Sequence, residues 1–520
     1  MTTPAAPSPP QADAGSPLWA LFRRSLSLHR DAPAILWGEA TWSYDDLAGT
    51  VLDRVRVLQA RGIARGDRVV LLMGNGPGFC AADLAIMAVG AVKVPVSGML
   101  SASEIAVIVA RVRPACVMAS PDLVDLLADC GEVPRMVTDN AVALADHSAR
   151  EQLAGLPGAA PSEPAAIYFS GGTTGVPKGI VHSQQGLASN LWSHVIEAGI
   201  GPDDVLLLTT PQAHSAGLFA QVGLLRGACT RIEPGFDPAR FRALVDGDTV
   251  TWTFAVPTMI NRLVAYAEET GWRPASLRTV QYGAAPISGD LLGRALACFG
   301  PVFQQLYAQT ECPNYATVLS KADHVAALSR PALLTSAGRP ALMCEVAVLD
   351  DEGTSVPAGA VGEVALRAPY VMTGYWEDDA GYAARFSGSW LRTGDVGYLD
   401  EDGYLYLVDR RNDMIISGGM NVHSIEVENA LMSVEGVQLA AVVGVPHPDW
   451  GEAVHAVVVP VGEAPGLQER VMAESRHLLA AYKRPKSVEL VAELPLTRYG
   501  KVDKVALRAR YWDGRTRNIS

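Results

Sequence analysis

Short apolar runs alternate along the chain with longer stretches whose apolar residues recur at helical spacing. Between residues 17 and 160, "RVVLLM" (68–73) predicts a strand and "CAADLAIMAVGAV" (80–92) a helix. "GNGPG" (74–78) lies between them; its spacing is wrong for a dinucleotide loop and no acidic partner follows, so it predicts a plain strand–helix turn. The same texture continues through 161–400, where "DDVLLLTT" (203–210), "TVTWTFAV" (249–256) and "LRTVQYGAA" (277–285) predict buried strands. Strands that alternate with helices imply layered, mostly parallel α/β sheets.

Near residue 400 the pattern changes. "GYLDEDGYLYLVDRR" (397–411) predicts a hairpin turning at Asp402-Gly403. "SIEVENALMSV" (424–434) then predicts a capped helix, followed by strands "LAAVVGV" (439–445) and "AVHAVVVPV" (453–461). The residues beyond about 411 suffice for a small α+β domain. The start, "MTTPAAPSPPQADAGS" (1–16), is Pro- and Ala-rich, with neither a basic nor an apolar leader segment, and predicts a disordered lead-in. The expected organisation is a lead-in at 1–16, a large domain at 17–411 and a small one at 412–520.

Composition narrows the partners. With 42 basic and 55 acidic residues in 520, the net charge is −13 and no basic face is legible, which argues against nucleic-acid binding. No apolar run has the length to cross a bilayer. The 7 cysteines are scattered, without a CxxC pair, which fits a reducing cytoplasm better than a disulfide or zinc framework. Lysine is scarce, so Lys178 inside a glycine-rich segment stands out.

That segment is "IYFSGGTTGVPKGIVHS" (167–183). A nucleotide P-loop ends in Gly-Lys-Ser/Thr and opens a helix; here Lys178 precedes glycine and "GIVHS" predicts a strand, with Ser183 capping the helix that follows. The reading is strand–loop–strand. Its chemistry still suits an anion: Gly171, Gly172 and Gly175 free backbone amides, Ser170, Thr173 and Thr174 add hydroxyls, and Lys178 adds charge.

"SGGTTGVPKG" (170–179) resembles the signature of the acyl-adenylating superfamily, which includes acyl-CoA synthetases, peptide-synthetase adenylation domains and beetle luciferases; Gly171 stands where that signature has a second serine. "YAQTE" (307–311), "WLRTGDVGYLDEDGYLYLVDR" (390–410) and "LPLTRYGKVDK" (494–504) resemble later motifs of the same family in the same order. The resemblance covers roughly residues 17–510. It implies a large N-terminal domain of layered α/β sheets with a small barrel-like subdomain, plus a small mobile α+β C-terminal domain.

It also implies roles. Tyr307 would stack near adenine, Thr310 would meet the α-phosphate and Glu311 would hold Mg²⁺, a hard cation suited to a carboxylate. Ala308 replaces the motif's usual glycine. Asp395 would accept both ribose hydroxyls, and Arg410 would reach the ribose or a phosphate. Lys501 would bind the carboxylate and α-phosphate as charge builds at phosphorus. The hinge falls on Asn412. Gly418 and Gly419 would either line a pantetheine tunnel or form a tight turn before a helix. The implied chemistry consumes ATP and a carboxylic acid, forms acyl-AMP and pyrophosphate, and passes the acyl group to a thiol such as coenzyme A.

The acid is approached through its pocket. Amino-acid-activating relatives carry an aspartate near the equivalent of "PQAHSAG" (211–217); here Ala213, His214 and Ser215 stand there, against an α-amino acid. His214 is either a pocket wall or a core histidine. Phe254, Tyr282, Gly283, Ala284, Ala285, Gln304 and Ala308 complete the expected pocket, and the many small side chains suggest a bulky, largely apolar acid, aromatic or polycyclic. Three readings stay open: a carboxylate–CoA ligase, an adenylating enzyme whose acyl-AMP goes to a carrier protein or partner enzyme, and a non-enzymatic binding module. The chain alone fits a monomer or a homodimer.

Overall fold

The run "RVVLL" becomes the strand Arg68–Leu72, paired with a parallel strand along each edge, and its last four residues are buried, as in a sheet covered on both faces. The computed structural model describes residues 16–142, 148–170, 177–285, 287–410, 413–417, 420–448, 450–496 and 502–512. Gly171, Gly172, Thr173, Thr174, Gly175, Asn412, Gly418, Gly419 and Lys501 lie outside the described residues, as does the side chain of Arg410. The chain packs into two units. One comprises Met1–Phe254, Thr310–Pro313 and Pro369–Ala383; the other comprises Ala255–Gln309, Asn314–Ala368 and Ala384–Ser520.

The first unit holds a seven-stranded sheet, ordered Gly374–Tyr375, Lys178–Ser183, Pro164–Ser170, Val92–Pro95, Arg68–Leu72, Cys116–Ala119 and Arg135–Val137. Its apolar core includes Val70, Leu72, Val94, Ile105, Val117 and Ile167. The helix expected at 80–92 instead spans Pro77–Ala88. Proline at the first turn presets its start, and Gly90, at φ +76°, stops it before the strand Val92–Pro95. "GNGPG" is the strand–helix turn expected, with the Asn75 side chain donating to the carbonyls of Thr210 and Glu233. A second group of strands, Trp252–Ala255, Val205–Leu208, Cys229–Ile232 and Pro33–Trp37, runs parallel, with Ala40–Ser43 antiparallel at the edge. Ser16, expected in the lead-in, is instead the buried N-cap of helix Pro17–His29, and its hydroxyl donates to Gln184.

The second unit contains an antiparallel five-stranded sheet built on Trp390–Leu399, which pairs with Gly362–Arg367, Leu405–Arg410 and Phe386–Ser387. The expected hairpin turn is present, with Gly403 at φ +80°. A further sheet pairs Gly451–Pro460 with Val437–His447, Ile415–Ser417 and Ser487–Leu490. Alternation along its central hairpin splits the apolar residues between two faces: Val442, Val454 and Val458 pack under helices Ser424–Met432 and Leu467–Leu478, while Ala441, Val443 and Val457 meet Leu494 and Leu507. Helix Ser424–Met432 lacks the expected serine cap. His423 holds the cap position without a side-chain bond to the helix's first turn, and the Ser424 hydroxyl accepts from Lys504 Nζ at 2.7 Å. All 7 cysteines are free thiols. Among the described residues, no helix is long and apolar enough to cross a membrane.

Candidate active site

The strands flanking the glycine-rich loop fold back on each other. Pro164–Ser170 runs antiparallel to Lys178–Ser183, with Ser170 opposite Lys178, so the loop is a connection between strands, as the sequence predicts. Ser183 then caps helix Gln184–Glu197, its hydroxyl accepting from Gly186 N. Lys178 is therefore the first residue of the second strand.

Thr310 and Glu311, at the end of "YAQTE", are tied to that strand and to its edge neighbour Gly374–Tyr375 by one contact each. His182 Nε2 lies 2.9 Å from the Thr310 carbonyl oxygen, so that nitrogen carries the proton and donates. Burial pulls the imidazole pKa down to about 4 against the opposing effect of this bond, which keeps the ring neutral near pH 7. Tyr375, on the edge strand Gly374–Tyr375, donates its hydroxyl to Glu311 Oε1 at 3.0 Å, and Lys178 Nζ lies 4.9 Å from its ring centroid. Lys178, Thr310 and Glu311 are thus brought together in the first unit, all half-buried. The Glu311 carboxylate is a hard oxygen donor of the kind magnesium takes. Among the described residues no three His, Cys, Asp or Glu side chains gather into a metal-holding group.

In the same unit His214 precedes helix Ser215–Arg226, half-buried, with its carbonyl accepting from Gly217 N. Phe254 is buried, with its ring 5.1 Å from that of Phe219.

The second unit gathers Tyr307 and Asp395. The Tyr307 hydroxyl donates to Asp395 Oδ2 at 2.7 Å, and Gln309 Nε2 donates to the same oxygen at 2.9 Å. Asp395 is buried on strand Trp390–Leu399, opposite Arg410 in register. Its place is set by Gly394, at φ +77°, whose amide donates to Glu363, and by its own amide, which donates to Thr393 Oγ1. Arg385 in turn donates to Gln309 Oε1. Such a buried acceptor suits a vicinal diol.

The expected pocket residues of this unit differ in what they present. The Tyr282 side chain is fully buried, its hydroxyl 2.9 Å from His324 Nε2. Gly283 is buried, Ala284 is exposed at φ +69°, and Ala285 and Ala308 are half-buried. Gln304 is buried, and its carbonyl accepts from Gln281 Nε2. Sequence reasoning passed over Tyr375, His182, Gln309 and Arg385. Gln309 occupies the variable place inside a motif, and the other three lie in stretches that read as plain strand or loop.

The chain matches the model of the AMP-binding enzyme over residues 22–376 and that of the AMP-binding enzyme C-terminal domain over 426–501. It belongs to the AMP-binding enzyme family, as an adenylate-forming enzyme of the acid–thiol ligase class. It is 32% identical to a medium/long-chain-fatty-acid–CoA ligase of Mycobacterium tuberculosis, across 95% of this chain and 90% of that one. It is 34% identical to a feruloyl-CoA synthase of Amycolatopsis, across 95% and 98%. Among solved structures, the amide bond synthetase McbA of Marinactinospora thermotolerans superposes with a TM-score of 0.86 at 32% identity, across 95% of this chain and all of that one.

Proposed function

We propose that the protein is an ATP-dependent carboxylate–CoA ligase acting on a bulky hydrophobic acid, aromatic or polycyclic, in the cytoplasm. The meeting of Lys178 and Glu311 on one buried tyrosine, with the neighbouring Thr310 carbonyl held by His182, carries this reading. A carboxylate resists nucleophiles because of its charge. In the first step its oxygen attacks the α-phosphorus of ATP; the new O–P bond forms as the bond to pyrophosphate breaks. In the second, a thiol attacks the acyl carbonyl, the C–S bond forms, AMP leaves and the thiol proton is lost. The protein's part is positioning and charge stabilisation.

Ser170, Gly171, Gly172, Thr173, Thr174, Gly175 and Lys178 cradle the phosphates, and Thr310 binds the α-phosphate. Asp395 and Arg410 hold the ribose, with Tyr307 against the adenine. Magnesium, held by Glu311, would neutralise phosphate charge. Lys501 supplies charge at the reacting phosphorus from a C-terminal domain of residues 412–520 that turns about Asn412, and Gly418 and Gly419 admit the pantetheine arm. The two family models fall on either side of residue 411, in keeping with that division. His214, Phe254, Tyr282, Gly283, Ala284, Ala285, Gln304 and Ala308 are read as the acid pocket; the many small side chains among them favour a large acid, and relatives named for medium/long-chain fatty acids and for feruloyl-CoA support that reading.

The likeness to an amide bond synthetase favours a second reading, in which acyl-AMP passes to a carrier protein or another acceptor. Mass spectrometry of the protein with ATP, Mg²⁺ and a panel of acids, with and without CoA, separates the two. Acyl-CoA formed only when CoA is added supports the ligase. Acyl-AMP that ignores CoA supports the other acceptor, and a preference for acetate over every larger acid overturns the bulky-acid reading.

A further inference from the structure

We propose that Tyr375 is a positioning residue that couples the phosphate-facing lysine to the magnesium-facing carboxylate. The proposal rests on the roles given above to Lys178 and Glu311.

Tyr375 touches both groups with different parts of one side chain. Its ring lies under Lys178 Nζ at 4.9 Å from the centroid, within cation–π range, and its hydroxyl donates to Glu311 Oε1 at 3.0 Å. Lys178 and Glu311 come from motifs far apart in sequence, so neither can set the other's place through the local chain. Tyr375 can, because its own backbone is stitched to both. Thr373 N donates to the Val181 carbonyl at 2.8 Å and Trp376 N to the Gly179 carbonyl at 2.7 Å, which fixes the segment to the lysine's strand. Met372 N donates to the Glu311 carbonyl at 2.8 Å, which fixes it to the glutamate's turn. A Cβ on Gly179 would stand 3.0 Å from the Trp376 Cβ, so a side chain there would press on this approach. With Tyr375 only 5% exposed, its ring has little freedom to leave either contact. The phenol has a single proton, and it points one carboxylate oxygen while the ring face holds the ammonium.

Two substitutions separate the parts. Tyr375→Phe keeps the ring and removes the donor; Tyr375→Leu removes both. The readout is binding, with Mn²⁺ as the probe ion and α,β-methylene-ATP, which cannot release pyrophosphate. Mn²⁺ affinity is followed by electron paramagnetic resonance, and affinity for the metal-free nucleotide by equilibrium dialysis. Tyr375→Phe should weaken Mn²⁺ binding about three- to tenfold, the scale of a lost bond to a charged group, with metal-free nucleotide affinity unchanged. Tyr375→Leu should weaken both; should it fail to fold, Tyr375→Phe alone decides. Glu311→Gln is measured beside them. Weakened Mn²⁺ binding in Glu311→Gln but unchanged binding in Tyr375→Phe overturns the Tyr375 proposal and leaves the glutamate's role standing. Unchanged binding in Glu311→Gln overturns the magnesium reading and the proposal with it.

Discussion

The Tyr307 hydroxyl and the Asp395 carboxylate are joined at 2.7 Å, so the residue expected beside adenine also braces the residue expected beneath ribose. Gln309 donates to the same Oδ2, which leaves the orientation of the carboxylate to two neighbours rather than to solvent. If Asp395 accepts from the ribose hydroxyls, ATP should be favoured over 2′-deoxy-ATP. Asp395→Asn should lower kcat/KM for ATP about tenfold to a hundredfold, since bonds to a charged acceptor are worth about 1.5–3 kcal/mol, and should narrow the preference between the two nucleotides. Steady-state kinetics with both nucleotides checks this; an unchanged ATP-to-deoxy-ATP ratio counts against the ribose assignment.

Gly283 leaves no room for a side chain. A Cβ there would stand 2.5 Å from the Leu306 carbonyl oxygen, in a neighbouring strand that cannot yield as a flexible side chain could. Gly283→Ala should destabilise the protein by about 1–3 kcal/mol and disturb the adjoining Ala284 turn, already at φ +69°. Urea unfolding measures the first effect, and KM for the acid the second. A variant as stable as the parent would show that the strands can part at little cost.

Beneath the first unit's sheet, Lys93 and Asp83 form an ion pair at 2.9 Å, each side chain only 5% exposed. Burial pulls the Lys93 ammonium's pKa down, but Asp83 and Tyr168 outweigh it and the net shift is upward. Gln221 also donates to Asp83. Lys93→Met alone strands a buried carboxylate and should cost about 3–5 kcal/mol, whereas Lys93→Met with Asp83→Leu should recover most of that loss. Equal destabilisation in the single and double variants, read from denaturant midpoints, would sink this account.

The sequence was most legible where local chemistry decides. The strand–loop–strand at 164–183, the Gly403 hairpin and the alternation along 437–460 all follow from period, turn residue or cap. It was least legible where a partner distant in the chain decides. Ser424 reads as a cap until Lys504, brought in from the C-terminal end, takes its hydroxyl. The helix start at Pro77 was missed because the apolar run does not begin until Phe79, and its end because Gly90 sits inside an unbroken apolar stretch. Motif residues such as Glu311 and Asp395 could be named in advance, but Tyr375 and Gln309, which hold them, could not. Their roles come from tertiary contacts that leave no local pattern.

His182 and His194 are fully buried, and burial lowers the pKa of each from 6.5 to about 4, against the raising effect of bonds to the carbonyls of Thr310 and Asn190. In the unfolded chain both imidazoles regain ordinary values near 6.5. Above that pH neither state binds the proton, and the full stability is present. Between 6.5 and 4 the unfolded chain takes up protons that the folded one refuses, so stability falls as pH falls, by about 3 kcal/mol for each histidine across the window. Guanidinium titrations at pH 7.5 and 4.5 measure the total drop. Over that range His182→Asn should reduce the drop by about 2.5 kcal/mol, whatever it does to stability at pH 7.5. A drop of the same size in variant and parent would mean that His182 takes up its proton in the folded protein as readily as in the unfolded chain, and the neutral imidazole donating to Thr310 would have to be abandoned.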